Sequence, residues 1–211
     1  MNDRYLDPYR RWAKQFGTDV GVTLWASPRS QTLRFEVMAE MVDFSGHRIL
    51  DAGCSRGDFA EFLDEKGVAY EKFIGVDGLD DVIAYARTRG LPRAEFHTGD
   101  LIADPELMRI GDPTIIAISG TLNTMTMKQA LCLLDHAWAA KPEVLIYNFL
   151  PDLARRGAPP QTGPARRLSA CRLLTWSAEQ TGRVVYRQDY FDQGHDATIL
   201  MRPETRTYLP S

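Results

Sequence analysis

Short apolar runs alternate with amphipathic stretches along most of the chain. From residue 48 onward, runs of strand length that are apolar almost throughout are followed by segments with apolar residues at helical spacing. Continuous apolar runs are typical of parallel strands that are covered on both faces. The predicted strands cover residues 48–51, 72–76, 94–97, 114–119 and 144–147, and the helices between them cover 58–66, 79–89, 104–109 and 126–139. This order predicts βαβ units and an α/β fold with helices on both faces of a parallel sheet.

Both ends of the alternating region have patterns of their own. Asp7-Pro8 and Ser27-Pro28 each place a capping residue before a proline, and they predict helices over residues 9–16 and 29–42. A loop rich in proline and glycine at 148–166 precedes a predicted helix over 168–181. Residues 183–191 and 197–201, joined by the polar turn at 192–194, predict a terminal β-hairpin. We therefore expect one domain over residues 1–211, with a helical cover at 1–45 and a core at 46–211.

The segment that follows the first predicted strand carries the strongest functional signal. The apolar strand ends in Asp51, a turn of small residues contains Gly53 and Gly57, and a helical pattern then begins. Because glycine has no Cβ, a ligand can lie directly against the backbone of such a turn. Ligands of open parallel sheets bind beyond the carboxyl ends of the strands. The pattern therefore predicts a nucleotide-like ligand at this edge of the sheet.

Acidic or small polar residues also follow the next three strands. Asp77 ends the second strand, Asp100 follows the third, and Ser119 ends the fourth. A carboxylate at Asp77 can accept hydrogen bonds from both hydroxyls of a ribose, and a helix cap is the alternative. Asp100 can accept from an adenine amine while the Leu101 N–H donates to the ring, and a turn-forming acid is the alternative.

A nicotinamide dinucleotide site would combine the same elements with a G-x-G-x-x-G turn. Counted from Gly53, the second and third glycine positions hold Ser55 and Asp58. An acid at a helix N-terminus would repel a pyrophosphate, and it is better tolerated by a ligand that carries a cationic sulfonium or ammonium group. The sequence therefore disfavours an NAD(P)-dependent oxidoreductase but leaves it open as an alternative.

From Ile49 through the terminal hairpin, the chain resembles the class I S-adenosylmethionine-dependent methyltransferases. Residues 51–57 match the D-x-G-x-G-x-G cofactor motif of that family, with Ser55 at the position of the middle glycine. The resemblance implies a three-layer, Rossmann-like fold with a mostly parallel seven-stranded sheet, a C-terminal β-hairpin and an N-terminal helical cover. It also implies S-adenosylmethionine as cofactor and methyl transfer as the activity, although a non-catalytic cofactor-binding protein of the same fold remains an alternative.

The same resemblance implies the cofactor-binding residues. They lie in the first turn, at the tip of the second strand, in the Gly99–Leu101 segment beside the adenine, and in the fourth motif beside the methionine moiety: Asp51, Ala52, Gly53, Cys54, Ser55, Gly57, Phe59, Asp77, Gly78, Gly99, Asp100, Leu101, Ser119, Gly120 and Thr121. Arg34 is a further candidate, because a guanidinium suits bidentate recognition of the cofactor carboxylate. A surface ion pair is the alternative for Arg34.

A small molecule is the expected methyl acceptor, and a protein or RNA acceptor is the alternative. The fourth motif lacks the Asn-Pro-Pro-aromatic pattern of methyltransferases that act on exocyclic amines, and the net charge of −3 gives no general basic surface for nucleic acid. Arg155-Arg156 and Arg166-Arg167 are short basic pairs that we expect to lie on a solvated loop or helix end rather than in a phosphate site. We expect no metal, no membrane contact and no nucleic-acid partner.

No single general base can be selected from the sequence, so the catalytic residue stays unknown. The candidates near the expected mouth of the site are His195, Asp196, Tyr147, Asn148, Asp152 and His97. Tyr5, Tyr9, Trp12 and Trp25 make the predicted cover aromatic, either to line an acceptor pocket or to pack the helices onto the sheet.

A cytoplasmic location is expected. The three cysteines, Cys54, Cys132 and Cys171, are odd in number and lack metal-site spacing. The start of the chain lacks a signal-peptide pattern, and no apolar run approaches the roughly 20 residues of a membrane-spanning helix.

Overall fold

The computed structural model describes residues 5–16, 28–158, 160–161 and 163–204. These residues form seven strands: β1 (Arg48–Ala52), β2 (Lys72–Asp77), β3 (Ala94–Thr98), β4 (Ile115–Ile118), β5 (Val144–Phe149), β6 (Val184–Arg187) and β7 (Ala197–Met201). They also form six α-helices: α1 (Asp7–Phe16), α2 (Pro28–Met41), α3 (Asp58–Glu65), α4 (Asp80–Thr88), α5 (Met127–Ala139) and α6 (Ala170–Gln180). Short 3₁₀ turns lie at Pro105–Arg109, Thr121–Thr124 and Asp192–Gly194. Trp25 and the side chain of Trp12 lie outside the described part.

The strands form one sheet in the order β3-β2-β1-β4-β5-β7-β6. The first five strands are parallel, and β7 runs antiparallel to both β5 and β6. β1 is central, since Leu50 is in register with Ile74 on one side and with Ile116 on the other. The three-layer, Rossmann-like fold predicted from the sequence, including the antiparallel C-terminal hairpin, is confirmed.

Apolar side chains fill both faces of the sheet. On one face, Leu50, Ile74 and Ile116 pack with residues of α5 and α6. On the other, Ile49 and Phe73 pack with residues of α2, α3 and α4. Neighbouring positions of one strand thus enter different cores, as the alternation of side chains along a strand requires. Within the described residues, no helix has both the length and the apolar character that crossing a bilayer requires.

Some local predictions differ from the structure. β6 ends at Arg187, so residues 188–196 separate the two hairpin strands where a turn at 192–194 was expected. The segment at Pro105–Arg109 is a 3₁₀ turn, which begins where Asp104 accepts the Glu106 N–H. The start of α5 agrees better with the prediction, because Thr126 and Gln129 form a reciprocal capping box.

A buried ion pair joins Arg34 of α2 to Asp196, the residue directly before β7. Arg34 Nε donates to Asp196 Oδ2 (2.6 Å), and the guanidinium is also ion-paired with this carboxylate. Asp196 is fully buried, Arg34 is 5% exposed, and the Tyr190 hydroxyl donates to Asp196 Oδ1 at 2.8 Å. Desolvation raises the pKa of Asp196, whereas Arg34 and Tyr190 lower it. From the sequence, Arg34 was a candidate for the cofactor carboxylate or for a surface ion pair, and Asp196 was a candidate base. The ion pair that they form is buried instead, and it holds the cover to the sheet.

Loss of one partner should expose the energetic cost of this ion pair. Replacing Arg34→Met leaves a buried carboxylate without its cation, and we expect it to lower the free energy of unfolding by about 3 kcal/mol. Asp196→Asn should have a comparable effect, while the double variant should lose much less than the sum of the two. Urea unfolding of the native protein, the two single variants and the double variant measures these changes in the free energy of unfolding. Additive losses would show that the two side chains do not interact.

Candidate functional site

A cavity of about 310 Å³ opens at the carboxyl ends of the parallel strands. Its floor comes from the turns that follow β1, β2 and β4, and its roof comes from the N-terminal segment, α2 and the loop after β5. The lining residues are Tyr5, Leu6, Tyr9, Ser30, Arg34, Gly53, Ser55, Asp77, Gly78, Leu79, Leu101, Ser119, Gly120, Thr121, Asn123, Thr124, Leu150, Pro160, Gln161, Ala165, Arg167 and His195. The cavity therefore lies where ligands of open α/β sheets bind.

The turn after β1 adopts left-handed backbone at three alternate residues. The φ angles are +89° at Gly53, +48° at Ser55 and +78° at Gly57. A Cβ on Gly53 would collide with the Thr121 side chain, so glycine is required there by space as well as by conformation. Ser55 adopts a conformation that non-glycine residues rarely occupy, which explains why the family motif has glycine at this position.

Asp77 is joined to this turn by a hydrogen bond. The Ser55 N–H donates to Asp77 Oδ2 at 2.9 Å, and the Leu79 N–H donates to Oδ1 at 3.1 Å. Desolvation raises the pKa of Asp77 to about 6, although the backbone N–H groups of Ser55, Leu79 and Gly78 lower it. The carboxylate lines the cavity and can still accept further hydrogen bonds, because an ionised carboxylate has about four acceptor sites.

Asp51 lies behind the turn rather than in the cavity. It is 3% exposed, and its Oδ1 atom has no hydrogen-bond partner among the described residues. Burial, together with repulsion from Asp77 and Asp58, raises the pKa of Asp51 to about 8. Asp51 is therefore largely protonated at neutral pH, which limits the repulsion between it and Asp77.

Asp58 does not act as the sequence suggested. Its carboxylate accepts from Arg89 Nη1 at 2.6 Å and from Gln31 Nε2 at 3.2 Å, and it lies outside the cavity lining. Arg89 also pairs with Glu61, so it offsets only part of the acidic charge beside the turn. Because Asp58 is ion-paired and outside the lining, its charge is not a basis for choosing between a pyrophosphate and a sulfonium ligand. The sequence could not show this pairing, since Arg89 lies at the far end of α4 and is brought back to the turn only by the fold.

Asp100, at the end of β3, is bonded to the N-terminal segment. Its Oδ1 atom accepts from the Tyr5 hydroxyl at 2.6 Å and from the backbone N–H groups of Ile102 and Ala103. Leu101, by contrast, lines the cavity. Of the two proposed adenine contacts, only Leu101 therefore faces the cavity, and Asp100 supports the turn and the cover beside it.

An amide holds the turn that follows β4. Asn148 is fully buried, its Oδ1 atom accepts the Gly120 N–H at 2.7 Å, and its Nδ2 atom donates to Ser119 Oγ at 3.3 Å. Thr121 donates from its hydroxyl to the Ala52 carbonyl at 2.8 Å. The predicted cofactor residues Ser119, Gly120 and Thr121 line the cavity, whereas Asn148, a predicted candidate base, supports the turn that carries them.

Several predicted cofactor residues lie away from the cavity wall. Phe59 and Cys54 are in the core between the sheet and α2–α4, where Phe59 contacts the ring of Phe35 at a centroid distance of 4.9 Å. A Cβ on Gly57 would meet Phe96, and a Cβ on Gly99 would meet Leu107, so these glycines allow close packing. The predicted residues outside the cavity lining are Asp51, Ala52, Cys54, Gly57, Phe59, Gly99 and Asp100.

Of the candidate bases, His195 lines the cavity. Its ring contacts Phe191 at a centroid distance of 4.5 Å, and it directly precedes the buried Asp196. Asp196 is fully buried, bound by Arg34 and outside the lining, so it does not face the cavity as a base. Arg34 lines the cavity, and its contact with the cofactor carboxylate stays a prediction. Tyr147 shares a hydrogen bond with Ser177 in the core, Asp152 caps α6 through the Ala170 N–H, and His97 lies beside Glu95 on β3.

Part of the cavity wall consists of residues that were not predicted from the sequence. Leu79, Asn123, Thr124 and Leu150 lie a few residues beyond the predicted strand ends, so their positions along the chain were a usable signal. Pro160, Gln161, Ala165 and Arg167 come from the long loop after β5, which folds back over the opening. Nothing in the composition of that loop shows which of its residues face inward.

Solved structures share this fold at low sequence identity. The chain aligns with the small RNA methyltransferase HEN1 at a TM-score of 0.66 and 14% identity, over 84% of this chain and 26% of HEN1. It aligns with magnesium protoporphyrin IX methyltransferase from Synechocystis PCC 6803 at a TM-score of 0.62 and 14% identity, over 95% of this chain and 94% of that protein. It aligns with phosphoethanolamine N-methyltransferase 1 from Haemonchus contortus at a TM-score of 0.70 and 10% identity, over 100% of this chain and 52% of that protein.

The chain has the class I methyltransferase fold. No protein-family model matches the sequence, and no curated protein is significantly similar to it. The similarity therefore concerns the fold alone. It does not assign the ligands or acceptors of the similar proteins to this chain.

The close contact at Gly53 can be tested with a matched pair of substitutions. Gly46 has a φ of +73° and open space where a Cβ would be, whereas Gly53 combines a φ of +89° with the contact to Thr121. Gly46→Ala should cost about 1 kcal/mol for its backbone conformation. Gly53→Ala should cost about 1 to 3 kcal/mol more, because the Cβ displaces Thr121. Equal losses in urea unfolding would show that the turn relaxes freely.

Proposed function

We propose that this protein binds S-adenosylmethionine in the cavity and transfers its methyl group to a small-molecule acceptor. The observation that carries the proposal is the Asp77 carboxylate, which lines the cavity and is bonded to the backbone of the left-handed turn at Gly53–Ser55. A carboxylate at the tip of the second strand beside a glycine turn suits the two hydroxyls of a ribose.

The residues present fit this cofactor. Asp77 supplies acceptors for the ribose, the Gly53 and Ser55 backbone gives a surface without bulky side chains, and Leu101 lies on the adenine side. Ser119 and Gly120 are at the tip of β4, where the methionine moiety would lie. A cavity volume of about 310 Å³ is at the lower end of the range for small-molecule sites. When bound, S-adenosylmethionine supplies an activated methyl group on a sulfonium, for in-line displacement by the acceptor.

The protein contributes binding, orientation and exclusion of water. Leu6 packs against Gly78, and the Tyr5 hydroxyl is bonded to Asp100, so the N-terminal segment closes one end of the cavity. The loop after β5 closes the other end. Such enclosure raises the rate mainly by fixing the geometry of the two reactants.

The oxidoreductase alternative is weakened by the topology. A dinucleotide fold of the doubly wound type has the strand order 3-2-1-4-5-6, all parallel. Here the antiparallel β7 lies between β5 and β6. This strand order supports the methyltransferase proposal, and it does so without any assumption about the charge of Asp58.

A small acceptor is supported by the enclosure of the cavity rather than by the comparisons. The similar structures are named for acceptors as different as RNA, a magnesium porphyrin and phosphoethanolamine.

The three cysteines are free in the structure, which agrees with the proposed reducing, cytoplasmic location.

Calorimetric titration with S-adenosylmethionine, S-adenosylhomocysteine and NAD tests the proposal. We expect the first two ligands to bind and NAD not to bind. Asp77→Asn should weaken S-adenosylhomocysteine binding about tenfold, because loss of the charge weakens two hydrogen bonds to the ribose. Asp81→Asn, which removes an exposed acid from α4, is the matched control and should leave the affinity unchanged.

Two results would contradict the proposal. Binding of NAD alone would assign the cavity to a dinucleotide, and equal affinities in the Asp77 variant and the native protein would remove this residue from the site. Formation of S-adenosylhomocysteine when a pool of small acceptors is added would separate an enzyme from a non-catalytic binding protein.

A further inference from the structure

The turn after β4 carries two buried polar atoms that lack a hydrogen-bond partner. They are Oδ1 of Asn123 and Oγ1 of Thr124, and no group in the described part of the chain bonds either atom. Both residues line the cavity. Because buried polar groups in native proteins are nearly always hydrogen-bonded, two unpartnered oxygens in a cavity wall indicate a place for a polar group of a ligand.

Thr124 differs from the two other buried threonines of the described residues. Thr181 Oγ1 donates to the Arg202 carbonyl at 2.7 Å. Thr198 Oγ1 shares a hydrogen bond with the Tyr190 hydroxyl at 2.8 Å. Thr124 is also buried, at 5% exposure, but its one polar side-chain atom has no such partner within the described ranges. Burial of this hydroxyl therefore costs free energy that no contact of the described chain offsets.

The remaining unpartnered atoms of the described residues lie away from the cavity. They belong to Asp51, Arg56, Asp64 and His97, which are all outside the lining. Arg56 and Asp64 are bonded through another atom of the same charged group. Asn123 and Thr124 are set apart because they are adjacent in the chain and line the same cavity.

The turn that carries the two oxygens is held by neighbouring elements. Asn148 Oδ1 accepts the Gly120 N–H at 2.7 Å, and the Arg166 N–H donates to the Asn123 carbonyl at 2.8 Å. A third hydrogen bond joins the Thr121 hydroxyl to the backbone of β1. These bonds fix the backbone of the turn, so the binding groups are in place before a ligand arrives.

Tyr9 of α1 adds a hydroxyl from the roof of the cavity. The sequence left open whether the aromatic residues of the cover line a pocket, and Tyr9 does line it. Desolvation raises the pKa of Tyr9 to about 12, against a lowering by the Thr124 side chain and with a further rise from the charge of Asp77. The Tyr9 hydroxyl is therefore protonated at neutral pH and can donate to a ligand beside Thr124.

The two unpartnered oxygens select a neutral hydroxyl over a charged group. Asn123 Oδ1 can only accept, whereas the Thr124 hydroxyl can donate or accept. One ligand hydroxyl that donates to Asn123 and accepts from Thr124 would satisfy both atoms. A carboxylate cannot donate, so it would leave Asn123 Oδ1 facing a negative charge. An ammonium group would need a counterion, and Asp77, the one acid in the described lining, is assigned to the ribose.

We propose that the methyl acceptor is an uncharged small molecule that is anchored by a hydroxyl group at Asn123 and Thr124. This inference rests on the proposed function, because it assigns Asp77 and the turn after β1 to the cofactor. Leu150 and Ala165, which also line the cavity, supply apolar surface for the carbon skeleton of the acceptor.

Titration of three matched probes into the complex with S-adenosylhomocysteine tests the inference. Benzyl alcohol, benzoate and benzylamine share a phenyl ring and differ in the polar group. The backbone NMR signals of residues 119–124 report binding at the turn. We expect benzyl alcohol to bind and to shift these signals. The two charged probes should bind at least about tenfold more weakly, because the site leaves their charge unpaired.

Replacing Thr124→Val gives two readouts of opposite sign. The variant should bind benzyl alcohol about fivefold more weakly, because one neutral hydrogen bond is lost. It should also unfold at a higher urea concentration in the absence of ligand, because a methyl group replaces a buried hydroxyl that has no partner. Thr124→Ser keeps the hydroxyl and should retain most of the affinity for benzyl alcohol.

Thr181→Val is the matched control. Thr181 is a buried threonine outside the cavity lining, and its hydroxyl is hydrogen-bonded. This variant should unfold at a lower urea concentration than the native protein, because the Arg202 carbonyl loses its partner. Its affinity for benzyl alcohol should be unchanged.

Several results would overturn the inference. Failure of S-adenosylhomocysteine to bind would overturn it together with the proposed function. Binding of S-adenosylhomocysteine without a preference for benzyl alcohol over the charged probes would overturn the inference alone. So would an unchanged alcohol affinity or an unchanged urea midpoint in Thr124→Val. If Thr124→Val weakened S-adenosylhomocysteine as much as the alcohol, the hydroxyl would belong to the cofactor site instead.

Discussion

The hydrogen bond from the Ser55 N–H to the Asp77 carboxylate is the contact on which the site depends. It joins the turn after β1 to the tip of β2, and it exists because Ser55 adopts left-handed backbone between two glycines that do the same. The turn thereby aims one N–H group at the acid and presents bare backbone to the cavity. The other proposed cofactor contacts lie around the Ser55–Asp77 hydrogen bond.

The cover is attached at three separate points, which together enclose the cavity. Tyr5 bonds Asp100 beyond β3, Arg34 pairs with Asp196 before β7, and the Arg166 N–H bonds the turn after β4. Of these contacts, the Arg34–Asp196 pair neutralises a buried charge with a partner from a distant part of the chain, which is what its desolvation requires. The enclosure leaves a cavity that the Asp77 carboxylate lines.

Much of the fold followed from periodicity. Strands that are apolar throughout, such as those now seen at β1 and β4, can exist only between two layers of helices, and the turn motif located the edge at which ligands bind. Periodicity did not reveal pairings across the chain. Arg89 pairs with Asp58, Arg34 pairs with Asp196, and the Tyr5 hydroxyl donates to Asp100. Each contact joins residues that are neighbours only after folding. Motif matching likewise could not separate Asp77, which faces the cavity, from Phe59 and Cys54, which pack behind it.

The most direct test of the central claim is the pKa of Asp77, measured by NMR of its carboxyl carbon with and without S-adenosylhomocysteine. In the free protein we expect a pKa of about 6, because desolvation disfavours the charged form. Ribose hydroxyls donate to the ionised carboxylate, so binding should lower this pKa, and the affinity should fall about tenfold per pH unit once the pH drops below about 6. A pKa of Asp77 that is the same in both states would contradict the account.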